Sequence, residues 1–164
     1  MGEDIGPAQY KAALRRFVTG VTVISCVVEG QDHAMTASAF TAVSLEPPLV
    51  LVCVARNARF SAAIGASTQW GVSILDASAK SCADWLATSG RPLAGQLERV
   101  PHHRGSTGVA LLDDSLATLE CVTTSRTAAG DHDVVVGRVV AAAVTDLDDP
   151  LLHWMSAYHG IARG

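Results

Sequence analysis

The side chains best suited to metal binding or nucleophilic chemistry in this chain are six histidines and four cysteines, and their spacing removes most of that chemistry. His102 and His103 are adjacent, so an extended backbone sends them to opposite faces. His33, His132, His153 and His159 form neither H-x-x-x-H nor H-E-x-x-H. Cys26, Cys53, Cys82 and Cys121 contain no C-x-x-C and lie too far apart for a zinc knuckle. Three of them, Cys26, Cys53 and Cys121, sit inside apolar runs, where a reduced thiol acts as a small hydrophobe. No metal site is expected. There is no G-x-S-x-G elbow, no G-x-G-x-x-G and no P-loop. Asp113-Asp114 and Asp148-Asp149 read as solvated turns, not as paired catalytic acids.

Two stretches remain. Residues 33–54, HAMTASAFTAVSLEPPLVLVCV, contain no Lys or Arg, and their small residues are interrupted by no carboxylate before Glu46. Small side chains let a backbone approach a flat, bulky ligand. Backbone N–H groups and hydroxyls suit a ring that gains negative charge on reduction. Thr36, Ser38 and Ser44 supply hydroxyls there, and the chemistry would belong to a bound cofactor. The alternative is close packing where a strand turns a barrel corner. The second stretch is Gly130-Asp131-His132 at the head of a β-rich run. It reads either as a plain turn with a surface histidine, or as a neutral imidazole held rigid at a strand end.

The elements that must position these residues follow from periodicity. Tyr10, Ala13, Leu14 and Phe17 predict an amphipathic helix opening at Pro7 and ending near Gly20. Residues 21–28 read as a strand, 29–32 as a turn, and 32–36 as a returning strand. Residues 48–55 read as a strand covered on both faces. Asn57 is expected to cap a short helix to Ile64, and Ser78 another to about Ala87. Strands are expected over 69–75, 116–124 and 132–144, the last two joined at Gly130-Asp131, with a short closing segment over 151–155. Residues 91–106 read as an irregular polar rim or lid. No steady βαβ alternation appears, so the fold class is mainly β with peripheral helices, a mostly antiparallel barrel.

The 164 residues suit one domain spanning 1–164, and 49% hydrophobic against 17% charged residues rejects disorder. A formal charge of −4, with Arg15-Arg16 the only adjacent basic pair, argues against nucleic acid. No apolar run approaches the length of a membrane span. The opening MGEDIGPAQY is acidic, lacks a signal-peptide core and has Gly6 where myristoylation would call for Ser or Thr, so a cytoplasmic location is expected.

MTASAFTAVSLEPPLVLVCV (35–54) resembles the signature of the short-chain flavin reductases, the small components of two-component flavin-dependent monooxygenases. FVTGVTVIS (17–25), VPHHRGSTGVALLDDSLATLECV (100–122), GDHDVVVGRV (130–139) and PLLHWMSAYHG (150–160) resemble further blocks of that family, in its order. The resemblance implies an FMN-binding split β-barrel of Greek-key character, a homodimer with flavin near the subunit interface, and reduction of FMN or FAD by NADH or NADPH. Hydride would pass from nicotinamide C4 to flavin N5, with reduced flavin kept or delivered to a partner monooxygenase. By position, Met35, Thr36, Ala37, Ser38 and Ala39 would line the flavin, with Ser44 and Leu45 beside them. Cys53, Val54 and Ala55 would pass under the ring, while Asn57 and Ser61, with Arg56 or Arg59, would open a phosphate-binding helix. His132 would face the nicotinamide and Tyr158 would close the pocket. The chain departs from the family pattern at Ser73, Ala79 and Met155-Ser156. Two rivals are a flavin-binding split barrel without reductase turnover and a pyridoxamine-phosphate oxidase-like enzyme. The second calls for a basic cluster that the sequence does not display.

Overall fold

Alternation of apolar and polar residues builds this molecule strand by strand. A computed structural model describes residues 5–162, so the acidic opening Met1–Asp4 lies outside the described residues. The elements are α1 (Pro7–Leu14), β1 (Thr19–Gly20), β2 (Thr22–Val28), β3 (Gln31–Ala37), β4 (Phe40–Ser44), β5 (Leu49–Ala55), α2 (Arg59–Ala66) and β6 (Gln69–Leu75). After a 3₁₀ turn (Ala77–Ala79) come α3 (Lys80–Ala87), β7 (His102–Arg104), β8 (Ala110–Leu112), β9 (Ser115–Ala129), β10 (His132–Val144), β11 (Leu152–Trp154) and β12 (Ala157–His159).

Seven strands form one antiparallel sheet in the order β3-β2-β6-β9-β10-β5-β4. Its two edge strands, β3 and β4, are consecutive in the chain and joined only by Ser38 and Ala39. A two-residue link cannot span an open sheet of this width, so the sheet rolls until its edges approach. Small residues serve that corner, where Cys53 N donates to Ala39 O at 2.9 Å.

Inside the roll, Ile24, Val50, Val52, Val54, Trp70, Val72 and Val135 pack with Phe60 and Ile64 of α2. On the other face, Val21, Val23, Ala34 and Leu75 pack under Ala83 and Leu86 of α3 with Leu97, Val100 and Leu112. Thus β2 serves both layers, Val23 on one side and Ile24 on the other, which explains why that strand reads as a continuous apolar run. Glu120 ties the segment before β8 to the sheet. Its carboxylate accepts from the N–H and hydroxyl groups of Ser106 and Thr107, at 2.5–3.0 Å.

Several sequence expectations change. The opening helix ends at Leu14, not near Gly20, because Thr19–Gly20 pairs with β11. Its apolar stripe exists but is uncovered: no residue of α1 is buried, and Phe17 is 71% exposed. Among the described residues nothing covers the stripe. β5 is buried on one face only, with Leu49, Leu51, Cys53 and Ala55 half-buried on the other. Neither expected cap forms. Ala58, with no side-chain bond, precedes α2, and Asp76, not Ser78, caps the 3₁₀ turn by accepting from Ser78 N at 2.9 Å. Strand β4 and the β11–β12 hairpin were not expected. The 91–106 stretch is less free than a lid: Leu97 and Val100 are buried, and Gln96 Oε1 accepts from Ala34 N at 3.2 Å.

Candidate functional site

β5 and β10 bring the two chemically suggestive stretches to one corner. Cys53, Val54 and Ala55 pair with Val134, Asp133 and His132, and beyond them Arg56 N donates to Asp131 O at 2.9 Å. Val54 faces the core, whereas Cys53 and Ala55 face outward, half-buried. His132 is 43% exposed, and its Nδ1 lies 2.7 Å from Asp131 Oδ1. A carboxylate can only accept, so Nδ1 carries the hydrogen in this contact. The hydrogen bond from His132 holds the Asp131 carboxyl below its ordinary value.

One turn further, Asn57, Ala58, Arg59 and Phe60 form a wall of a cavity of about 330 Å³, completed by residues of β3 and the loop after α3. Met35 and Thr36 line it too. The Thr36 hydroxyl is already committed, donating to Ala83 O at 2.7 Å. α2 has no side-chain cap, and in its first turn Ser61 N donates to Ala58 O at 2.9 Å, which leaves the N–H groups of Arg59 and Phe60 without a partner among the described residues. Arg59 Nη2 donates to Arg91 O at 2.6 Å, and Arg91 donates to Thr88 O and Ala34 O. Burial, and then the neighbouring Arg59 charge, lower the Arg91 pKa from its ordinary value. No acid lines the cavity. Backbone amides beside two guanidinium groups are chemistry suited to an anion such as a phosphate.

Other expected residues stand elsewhere. Ala37 is buried, its carbonyl accepting from Thr22 Oγ1 at 2.8 Å. Ser38 and Ala39 open onto a separate groove of about 620 Å³ shared with Leu14, Phe17 and His153. Ser44 and Leu45 lie beyond the Leu49 end of β5, about 20 Å from Ala55 by strand rise. Ser61 is buried, and its hydroxyl accepts from Arg126 Nη2 at 2.7 Å. Tyr158 lies on the flank of α3 with Lys80, Asp84 and His153. Within one chain, then, Met35, Thr36 and Asn57 share a cavity, Cys53, Val54, Ala55 and His132 meet along the β5–β10 ladder, and Ala37, Ser38, Ala39, Ser44, Leu45, Ser61 and Tyr158 stand apart. The sequence reading did not place Arg91, Ala83 or Arg126 at the site. Arg91 lies 57 residues from the carbonyl it clamps, and nothing local marks such a contact.

The profile of the "Flavin reductase like domain" matches residues 14–162. An NADH-dependent flavin reductase of Rhodococcus sp is 34% identical over 161 residues, covering 96% of this chain and 88% of its own. The reductase subunit HsaB of a flavin-dependent monooxygenase from Rhodococcus jostii (strain RHA1) is 34% identical over 160 residues, covering 97% and 80%. Among solved structures, BorF, the flavin reductase component of a bacterial two-component tryptophan halogenase, superposes with a TM-score of 0.90 at 34% identity, covering 97% of this chain and all of that one. Relatives are named variously for NADH, NADPH, FAD and riboflavin phosphate. The rolled sheet is the split-barrel-like fold of these reductases. With its match running almost end to end, this chain belongs to the flavin reductase like family.

Proposed function

We propose that this chain is an NAD(P)H:flavin oxidoreductase that reduces FMN or FAD and supplies reduced flavin to a partner monooxygenase. The observation that carries this is the corner itself: His132, fixed by Asp131, emerges opposite Ala55, next to an acid-free cavity walled by Asn57 and Arg59. Bound together, nicotinamide and flavin supply hydride-transfer chemistry. The chain's share is to hold and orient. Arg59 and the first-turn amides of α2 bind the flavin phosphate, and Met35 and Thr36 flank the ring. Outward-facing Cys53 and Ala55 give the ring a strand to lie on. His132 would orient the nicotinamide, and holding the two rings together would be catalysis by proximity. Tyr158, on the flank of α3 with Lys80 and Asp84, stands outside the cavity's lining.

The working unit is a cytoplasmic homodimer of one domain per chain. Support for the dimer comes from uncovered apolar surface at Leu45, Val144 and Phe17, 85%, 84% and 71% exposed, on a chain whose candidate residues divide between separate places. A second copy offers Ser44 and Leu45 a route to the flavin. Four free thiols suit a reducing compartment. Light scattering should give twice 17.1 kDa.

The deciding experiment mixes protein, FMN or FAD, and NADH or NADPH without air, and follows flavin bleaching. Catalytic bleaching supports the reductase. Binding without bleaching by either nucleotide leaves the carrier reading in its place.

A further inference from the structure

The cavity beside α2 holds more positive charge than one phosphate requires. Arg59 Nη2 reaches the Arg91 carbonyl at 2.6 Å, and neither arginine has a carboxylate within ion-pair distance among the described residues. Elsewhere Arg56 and Arg126 share Asp133, and Arg104 meets Asp32. Here the guanidinium groups rest on carbonyl oxygens of Arg91, Thr88 and Ala34, and Arg91 Nε is buried with no partner. Like charges held together without a counter-ion are unfavourable unless an anion is to come between them. The two also come from different walls, Arg59 from the start of α2 and Arg91 from the loop after α3. One phosphate on the α2 amides satisfies the first wall and leaves the second unmet.

We infer that Arg91, with Arg59, binds the second phosphate of a dinucleotide diphosphate, and that this makes FAD the preferred flavin over FMN. This rests on the flavin-reductase reading above. The same cavity is lined by His33 and Leu93, an imidazole and an aliphatic group suited to the face of an adenine. Arg91 is a specificity residue in this scheme: it touches the diphosphate and no reacting atom.

The test is a set of binding titrations by flavin fluorescence, with riboflavin, FMN and FAD, on the wild-type protein and on Arg91→Met and Arg91→Lys. FAD should bind the wild type about tenfold more tightly than FMN, a single charge-assisted contact's worth. Arg91→Met should abolish that preference, weakening FAD about tenfold while FMN and riboflavin stay within about twofold, and Arg91→Lys should restore part of it. Equal affinity of the wild type for FAD and FMN, or equal weakening of both in Arg91→Met, overturns the inference. So does a rise in the NADH Michaelis constant with FAD affinity intact, which would assign the diphosphate to the nicotinamide nucleotide. Because Arg91 also braces Ala34 and Thr88, riboflavin affinity and a thermal melt report folding. If Arg91→Met does not fold, Arg91→Gln, which keeps donors for the Thr88 and Ala34 carbonyls, must show the same selective loss of FAD. Failure of the wild type to bind any of the three flavins would sink the underlying reading instead.

Discussion

His132 stands directly opposite Ala55 across the β5–β10 ladder, so its imidazole leaves the sheet where β5 gives way to the turn into α2. Backbone pairing on one side and the Asp131 carboxylate on the other leave the ring little freedom. Replacing His132 with Ala removes one hydrogen-bonding and stacking surface without touching the phosphate cavity. The nicotinamide nucleotide's Michaelis constant should rise about three- to tenfold, the scale of one net hydrogen bond. Flavin affinity should hardly move. Steady-state kinetics beside a flavin titration separates the two, and unchanged kinetics removes His132 from the nicotinamide site.

Arg126 joins three elements. It donates to Asp133 of β10 through Nε and Nη2, and to both the carbonyl and hydroxyl oxygens of Ser61 in α2. Arg126→Met leaves the Asp133 carboxylate, 10% exposed, with only Arg56 at 3.8 Å. Partial exposure of Arg126 keeps the loss below that of a fully buried pair, so about 2–3 kcal/mol is expected. The melting temperature should drop by roughly 5–10 °C in calorimetry. Adding Asp133→Val should recover most of the loss, because no stranded charge then remains.

Glu120 supplies a pH prediction. Burial alone would raise its pKa, but the four hydrogen bonds from Ser106 and Thr107 outweigh burial and lower it from 4.5. A carboxyl depressed on folding stabilises fully above its unfolded value and loses that contribution as pH falls through the folded one. Glu120→Gln should therefore cost about 2 kcal/mol at pH 7, where an amide must meet donors with a donor. The gap to wild type should narrow as pH falls below about 4.5, read by urea denaturation at stepped pH. A constant gap across that range would contradict the assignment.

The β11–β12 hairpin turns on two residues with positive φ, Met155 at 51° and Ser156 at 64°. Such turns favour Gly or Asn, since a Cβ crowds the left-handed backbone by about 1 kcal/mol or more. Ser156 is one of the positions where this chain leaves the family's pattern. Ser156→Gly should raise stability by about 0.5–1 kcal/mol, a shift of roughly 1–4 °C in the melting curve.

Much of the sheet was legible because its strands are long and β-rich. The β9–β10 hairpin shows this, with Gly130 at φ 62° in the turn the sequence marked. Less legible were features whose cause lies far along the chain. Asn57 has the right chemistry for a cap, yet the backbone enters α2 through Ala58, whose N–H is already held by Ala55 O at 2.9 Å. Ser61 accepts from Arg126, 65 residues away, a contact that no local pattern marks. The stripe Tyr10, Leu14 and Phe17 was read correctly as apolar, but no sequence pattern says whether a cover belongs to the same chain. At the site, His132 and the small-residue stretch announced themselves by composition. Arg91 did not, because its meaning comes from standing beside Arg59.

Gly137 sits on β10 against the indole of Trp70, which is fully buried and fills the place where a side chain at 137 would be. The two positions divide one fixed volume between them. Neither residue can therefore drift alone: Gly137→Ala drives a methyl into the indole, and Trp70→Phe leaves a void. Made together, the two changes come close to exchanging volume for volume. In an alignment of relatives, positions 70 and 137 should change as a pair, a record of barrel packing written in covariation and independent of the flavin chemistry at the rim.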